Sequence, residues 1–244
     1  MTGQNPPEGQ VNRIAHLIEY TDLRKTITMR DVEVLCTEAA LYGLGVAVVP
    51  SALVREATAC TGRDGVCVGT VISYPFGSQS PVVKAREAAA AVEQGAGELD
   101  VVPHFGAILA ERWSAVRQEL AEIRRAAGQV PLKLVLETER LSTSEIREAC
   151  VIAADEGFEY VVNTVGFRLV STDPEAEGLA SVEGVQSIRG LIGDSLKLKA
   201  AGGIATPEQV DDLLDAGVDR VAVSVAPGLL RRLGFVPGVK GEGS

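Results

Sequence analysis

The chain is poor in histidine, cysteine and aromatic residues, and it has no basic run. Its 244 residues include two histidines and four scattered cysteines, and 4% are aromatic. Two histidines cannot form a His-rich metal site, and a chain this long without a C-x-x-C pair needs no disulfide framework. A net charge of −10 also argues against nucleic acid or an anionic membrane as a partner. We expect no metal and no cofactor.

Long apolar runs are absent as well. No stretch approaches the roughly 18 apolar residues of a membrane span, and the first eleven residues, MTGQNPPEGQV, lack the apolar segment of a signal peptide. With 46% hydrophobic residues, the chain can bury one large core. We therefore expect a cytoplasmic protein with one domain over residues 12–233, flanked by flexible tails over 1–11 and 234–244.

A helical pattern followed by glycine and an apolar, β-rich run recurs along the chain. Glycine suits the left-handed position that ends a helix, because it has no Cβ. Capping boxes are predicted at Thr28-x-x-Asp31, Ser142-x-x-Glu145 and Thr206-x-x-Gln209. The helix-ending glycines are predicted at 43, 95, 128, 157, 193 and 217. The chain thus alternates helices and strands.

The strand runs are near-continuously apolar, which is typical of parallel strands buried on both faces. They are VAVV, VCVGTVIS, ELDVV, LKLVLE, YVVN, LKLKA and RVAVS, with a weaker first run at Ile14–Glu19. Eight βα units in one domain predict an α/β fold, a TIM (β/α)8 barrel. A doubly wound sheet is the alternative, but no G-x-G-x-x-G follows the first strand.

Ionisable residues stand at predicted strand ends, where the chemistry of a TIM barrel is located. Three of only six lysines fall inside strand runs. An unpaired buried ammonium costs several kcal/mol, so these lysines need carboxylate partners or a lowered pKa, as active-site lysines do. The strand-end acids are Glu19, Asp100 and Glu137, and the strand lysines are Lys133, Lys197 and Lys199.

A purely structural interpretation competes with a catalytic one. Asp100 and Glu137 can pair with Lys133 or Lys199 as a buried ionic layer, and Lys197 lies one layer deeper. Hydrolysis by a serine triad is disfavoured because no G-x-S-x-G motif is present. After the seventh strand, Gly202-Gly203 leads into a capped helix, and Ser224 follows the eighth strand. Free helix-start amides at this place bind anions, so a phosphate site is predicted there.

The motifs together resemble the deoxyribose-phosphate aldolase family from about Ile14 to Ser224. The similarity is strongest in VGTVISYPFG (68–77), VKAREAAAAVEQGAGELDVV (83–102), LKLVLET (132–138) and KAAGGIATPEQ (199–209). The resemblance implies a lyase in which an amine condenses with acetaldehyde, forms an enamine and attacks or releases glyceraldehyde 3-phosphate. It also implies a small carbonyl compound as the substrate.

The resemblance assigns roles to individual residues. Asp100 corresponds to the family's proton-shuttling aspartate and Lys199 to its second lysine, and Lys133 and Glu137 occupy matching positions. The position of the family's Schiff-base lysine holds Val162, and no lysine lies between Lys133 and Lys197. Expected substrate contacts are Glu19, His104 and Asn163. Expected phosphate contacts are Gly166, Gly202, Gly203 and Ser224, whereas Ala205 and Val225 depart from the family's arginine and second serine.

Three hypotheses follow from this pattern. In the first, the chain is an aldolase-like carbon–carbon lyase in which Lys199, or Lys133, supplies the amine. In the second, it catalyses a noncovalent isomerisation, cyclisation or retro-aldol cleavage, with Asp100 or Glu137 as the base and Lys199 stabilising an enolate. In the third, it is a non-catalytic binding module. Composition does not specify the oligomeric state, and a homodimer is expected only because acidic barrels commonly dimerise through helix faces.

Overall fold

A computed structural model describes residues 14–62, 65–166, 180–224 and 226–232. Eight parallel strands close into a barrel in the order β1 to β8. The predicted TIM barrel is confirmed. The strands are β1 Ile18–Thr21, β2 Val46–Val49, β3 Cys67–Ile72, β4 Glu98–Val101, β5 Leu132–Val135, β6 Tyr160–Val162, β7 Lys197–Ala200 and β8 Arg220–Val223.

Helices surround the barrel and alternate with its strands. An additional short helix, α4, precedes α5 in the connection after β4. No helix within the described residues has both the length and the hydrophobicity that a bilayer span requires. The helices are α1 Met29–Leu41, α2 Val54–Thr61, α3 Pro81–Glu93, α4 Phe105–Leu109, α5 Trp113–Ala127, α6 Thr143–Asp155, α7 Val182–Ile192, α8 Pro207–Asp215 and α9 Ala226–Arg232.

Local sequence signals fix the ends of several helices. Thr28, Ser142 and Thr206 each form the predicted capping box at the start of α1, α6 and α8. All six predicted helix-ending glycines have positive φ angles. Each capping residue satisfies backbone amides that a helix start would otherwise leave unpaired, at a value of about 1 kcal/mol.

The first strand differs from its prediction. Residues 14 and 15 are helical, and β1 covers Ile18–Thr21 rather than Ile14–Glu19. Before the strand, the chain turns against the start of β2, where the Gly45 amide donates to the carbonyls of Ala15 and Ile18. A Cβ at Gly45 would lie 2.4 Å from the carbonyl oxygen of His16, so only glycine permits this approach.

Other predicted segments lie outside the described residues. These are both tails, 1–11 and 234–244, and Val225. The division of the chain into two tails and a barrel over 12–233 therefore stays a prediction.

Along each strand, the side chains alternate between the outer face of the sheet, under the helices, and the interior of the barrel. The outward-facing residues pack beneath the helices in the main core, as Leu99, Leu134, Val161 and Leu198 do. Two apolar clusters lie inside the barrel. Val46, Val48 and Val71 form one, and Val102, Val135 and Val162, towards the carboxyl ends of the strands, form the other. Charged side chains fill the layer next to them.

Candidate active site

Four buried side chains from four strands form a ring of ion pairs across the barrel. Glu19 accepts from Lys133 at 2.7 Å with one oxygen and from Lys199 with the other. Asp100 does the same, with Oδ1 at 3.2 Å from Lys133 and Oδ2 at 2.5 Å from Lys199. Each ammonium therefore contacts both carboxylates, and each carboxylate contacts both ammonium groups. We call Glu19, Asp100, Lys133 and Lys199 the ionic ring.

Two further charges, which the sequence analysis did not single out, join the ring. Glu98 contacts Lys133 at 2.7 Å, and Arg220 contacts Glu98 at 2.7 Å and Glu19 at 3.2 Å. The six groups comprise three cations and three anions, so the layer carries no net formal charge. The alternation of Glu98 with Asp100 on β4 is the signal that could have identified Glu98.

Burial and the neighbouring charges shift the pKa values of the ionic ring in opposite directions. Burial alone would raise the pKa of Glu19, but Lys133 and Lys199 outweigh it and hold that pKa well below its ordinary value. Burial alone would lower the pKa of Lys133, but Asp100, Glu19 and Glu98 raise it above its ordinary value. In both groups the charged partners outweigh desolvation, so both stay ionised near neutral pH.

This balance predicts a pH dependence of stability. Because the pKa of Glu19 is lowered on folding, its contribution is present above its unfolded value of 4.5 and is lost as the pH falls below it. Replacing Glu19 with glutamine should destabilise the protein at pH 7. The difference in unfolding free energy from the wild type should shrink below pH 4.5, by up to about 1.4 kcal/mol per pH unit. Urea unfolding at pH 7, 5 and 3.5 measures it, and a difference that does not change with pH would contradict the prediction.

A small cavity, which we call the inner pocket, lies above the ring towards the carboxyl ends of the strands. Its volume is about 40 Å³, and Asp100 and Lys199 lie at its floor. Val162 forms part of its wall, whereas neither Lys133 nor Glu19 lines it. Lys199 is thus the one lysine of the described residues that faces this pocket, because the other lysine of the ring lies deeper.

A wider cavity of about 860 Å³, the outer groove, continues from the inner pocket. The four residues predicted to bind phosphate line it: Gly166, Gly202, Gly203 and Ser224. The predicted free amides at the start of α8 are occupied, because the side chain of Gln209 accepts from the amides of Ala205 and Thr206. An anion at this end of the groove would have to use the glycine loops instead.

Glu137 and Asn163, both predicted site residues, do not line the inner pocket. Glu137 accepts hydrogen bonds from the Val165 amide at 3.0 Å and the Thr164 hydroxyl at 3.3 Å. The Asn163 side chain exchanges two hydrogen bonds with the backbone of Ala201, at 3.1 and 2.7 Å. Both side chains therefore hold the loops after β6 and β7.

The remaining candidates also lie away from the pocket. The Nδ1 atom of His104 accepts from the Ala107 amide at 2.9 Å and caps α4, and the residue is otherwise exposed. Lys197 faces the barrel interior as predicted, but at the amino end, where it is exposed and lies 5.4 Å from the ring centroid of Tyr160. Neither His104 nor Lys197 lines the inner pocket.

A closed parallel barrel with lysines and carboxylates beneath a pocket at the carboxyl ends of its strands has the architecture of a TIM-barrel enzyme. The family described as DeoC/LacD family aldolase matches residues 15–229. The chain belongs to this family, and the resemblance seen in its motifs is confirmed.

Individual relatives agree with this assignment. The chain is 37% identical over 211 residues to the deoxyribose-phosphate aldolase of Methanothermobacter thermautotrophicus, covering 86% of this chain and 91% of that protein. It is 36% identical over 224 residues to that of Frankia alni, covering 89% and 96%. The solved aldolase from Aeropyrum pernix, described as tetrameric, superimposes with a TM-score of 0.82 at 27% identity and covers 93% of each chain.

Proposed function

We propose that this chain is an aldolase-type lyase that makes or breaks a carbon–carbon bond beside a small carbonyl group, with Lys199 as the amine and Asp100 as its proton partner. The observation that supports it most is their contact. The Lys199 ammonium and the Asp100 carboxylate are 2.5 Å apart, and both lie at the floor of the inner pocket. A carbonyl carbon entering the pocket would meet these two groups.

The geometry favours Lys199 over Lys133 as the amine. Lys133 is fully buried below the pocket, and its three carboxylate contacts raise its pKa. An ammonium held in this way is a poor nucleophile, since only the neutral amine attacks a carbonyl. Val162 faces the pocket from β6, at the position where the family resemblance expects the Schiff-base lysine, so β6 supplies no amine.

The covalent step can be written with its charges balanced. Lys199 passes a proton to Asp100, and its amine adds to the aldehyde carbon. Asp100 then returns the proton to the hydroxyl group of the adduct, which leaves as water, and a protonated imine remains. The imine carries the same single positive charge as the ammonium it replaces, so the layer of three cations and three anions stays neutral. Removal of a proton from the adjacent carbon gives the enamine, which stays attached to Lys199 and attacks a second carbonyl compound. In the cleavage direction, breaking the carbon–carbon bond releases that carbonyl compound and leaves the enamine on Lys199.

A noncovalent route is the second candidate, and a specific observation favours it. The Lys199 ammonium lies between two carboxylates, because it contacts Glu19 as well as Asp100. In this route Asp100 removes the proton, and the Lys199 ammonium stabilises the resulting enolate, as in an isomerase or cyclase.

The outer groove would hold the rest of the substrate. Gly166, Gly202 and Gly203 surround it with backbone, and the exposed Lys25 and Arg30 line it too. Deoxyribose phosphate, named for the relatives, is therefore the first substrate to test.

The expected homodimer stays a prediction.

Borohydride trapping tests the covalent route. The protein is incubated with acetaldehyde and borohydride, digested and mapped by mass spectrometry. We expect a reduced two-carbon adduct on Lys199, and we expect its loss in Lys199→Met. Lys197, which is exposed at the opposite end of the barrel from the inner pocket, reports nonspecific labelling in the same sample.

The other outcomes separate the hypotheses. If trapping fails but cleavage of deoxyribose phosphate persists and falls by about 10²–10⁴-fold in Asp100→Asn, the noncovalent route is supported. If neither an adduct nor turnover appears with a panel of aldehydes and phosphorylated sugars, the binding-module hypothesis replaces both.

A further inference from the structure

A buried ion pair lies outside the barrel, between two helices that pack on β4. The ammonium of Lys84 on α3 contacts the carboxylate of Glu119 on α5 at 2.9 Å, and Lys84 is 0% exposed. Among the described residues, Lys84 is the one buried lysine that is not part of the ionic ring. Neither member of the pair lines the inner pocket.

The attraction between the two charges is a weak reason for keeping them buried. Burial lowers the pKa of Lys84, and the Glu119 carboxylate opposes this shift. Desolvation of two charges offsets most of their attraction, and a well-packed apolar pair in such a place is often at least as stable. The groups that the pair holds therefore carry the argument.

The pair holds the backbone that follows β4. The Lys84 ammonium donates to the Val102 carbonyl at 2.9 Å, and Glu119 accepts from the His104 amide at 3.1 Å. Pro103 lies between these two positions and has no N–H to donate. The polar groups on both sides of the proline are thus bound by charges from α3 and α5.

These contacts begin where the sheet ends. β4 pairs with β3 as far as Val101, opposite Ile72, and the Val102 amide donates to the Ile72 carbonyl. The chain after β3 then turns at Ser73, whose φ of 61° is left-handed. Because β3 continues no further, the Val102 carbonyl accepts from Lys84 instead. Lys84 thereby extends the hydrogen bonding of β4 beyond the sheet.

Asp100 lies close to this strand end. β4 has only four residues, and Asp100 is the last but one. Val102 has the same inward direction by strand alternation, and it packs with Val135 and Val162, which line the inner pocket. A shift of the strand end would therefore move the Asp100 carboxylate away from Lys199, which it contacts at 2.5 Å.

We propose that Lys84 and Glu119 are positioning residues for Asp100. They fix the carboxyl end of β4 from outside the barrel and so keep the Asp100 carboxylate against the Lys199 ammonium. The inference rests on the proposed function for the part that Asp100 plays in the reaction. The placement of its carboxylate can be measured without any reaction.

The test removes both charges of the pair together. Lys84→Met combined with Glu119→Gln keeps an acceptor for the His104 amide and removes the ammonium from the Val102 carbonyl. No buried charge is left unpaired, so we expect this double variant to fold. If it does not fold by circular dichroism, Lys84→Gln with Glu119→Gln takes its place, because glutamine is one bond too short to reach Val102 in the same way.

Two measurements on the full chain report the effect. The aspartate carboxyl carbons are labelled isotopically and observed by NMR, and Asp100→Asn assigns the signal of Asp100. We expect this signal to shift more than that of any other aspartate in the double variant. The kcat for cleavage of deoxyribose phosphate should fall roughly ten- to hundredfold with KM unchanged, because a displacement of about 1 Å has an effect of this size.

Ile123→Ala is the matched control. Ile123 is fully buried on α5, one turn beyond Glu119, and makes no polar side-chain contact. Its truncation should lower the urea midpoint of unfolding. The Asp100 signal, kcat and KM should stay as in the wild type, which separates a loss of stability from a loss of positioning.

The proposal is overturned if the double variant keeps the Asp100 signal and kcat of the wild type. It is also overturned if Ile123→Ala changes both to the same extent as the double variant. Failure of the proposed function looks different: the wild type would then show neither cleavage nor a Lys199 adduct, while the Asp100 signal would still shift in the double variant.

Discussion

Replacing Lys133 with methionine is expected to lower the free energy of unfolding by about 3–5 kcal/mol. The ammonium of Lys133 contacts Glu19, Glu98 and Asp100 within 3.2 Å, and its side chain is fully buried. Methionine preserves most of the volume but leaves the layer with an excess of one negative charge in a site that water does not reach. Urea unfolding at pH 7, monitored by circular dichroism, measures the loss.

Lys197→Met is the matched control. Lys197 has the same side chain and faces the same barrel interior, but it is exposed at the amino end. It lies over Tyr160 and makes no ion pair within the described residues, so its replacement should cost only a small fraction of the loss at Lys133. Equal losses in the two variants would mean that the ring of ion pairs does not stabilise the barrel.

Placing a lysine at Val162 is expected to create a trappable amine in the inner pocket. Val162 is 1% exposed, and its side chain lines the same cavity as Asp100 and Lys199. A second amine beside the Lys199 ammonium would be disfavoured from protonation and would therefore be more nucleophilic at neutral pH. We expect borohydride and acetaldehyde to label residue 162, with a trapped fraction roughly tenfold or more above that of the wild type.

Val135→Lys is the control for this gain. Val135 belongs to the same apolar cluster and lines the same pocket, but it projects from β5. If only the Val162 variant is labelled, the location on β6 determines reactivity. If both variants are labelled equally, any pocket lysine reacts and β6 holds no special position. The absence of an adduct in the folded Val162 variant would contradict the prediction.

Most of the barrel was predictable because its signals are local. Capping boxes such as the one at Ser142 need only four residues, and the helix-ending glycines need one. The proximity of Asp100, Lys133 and Lys199 could also be predicted from the sequence, because side-chain alternation places each of them on the inner face of a strand.

Side-chain directions beyond the strand ends could not be predicted, for a common physical reason. Glu137 lies two residues beyond the end of β5 and His104 three beyond β4, where the backbone bends and strand alternation no longer determines the side-chain direction. Tyr74 lines both cavities, and its place there depends on the left-handed turn at Ser73 and on a hydrogen bond to distant Val165. Neither contact leaves a periodic signal in the sequence.

The neutral ring also constrains the order in which this site can evolve. A single change at Glu19, Asp100, Lys133 or Lys199 leaves a buried charge without its counterpart, so neighbouring positions must be substituted together or the protein loses stability at the first step. Val162 is exempt, because it borders the cavity without contributing a charge. A substitution at Val162 can therefore be made alone, whereas one in the ionic ring requires a compensating change.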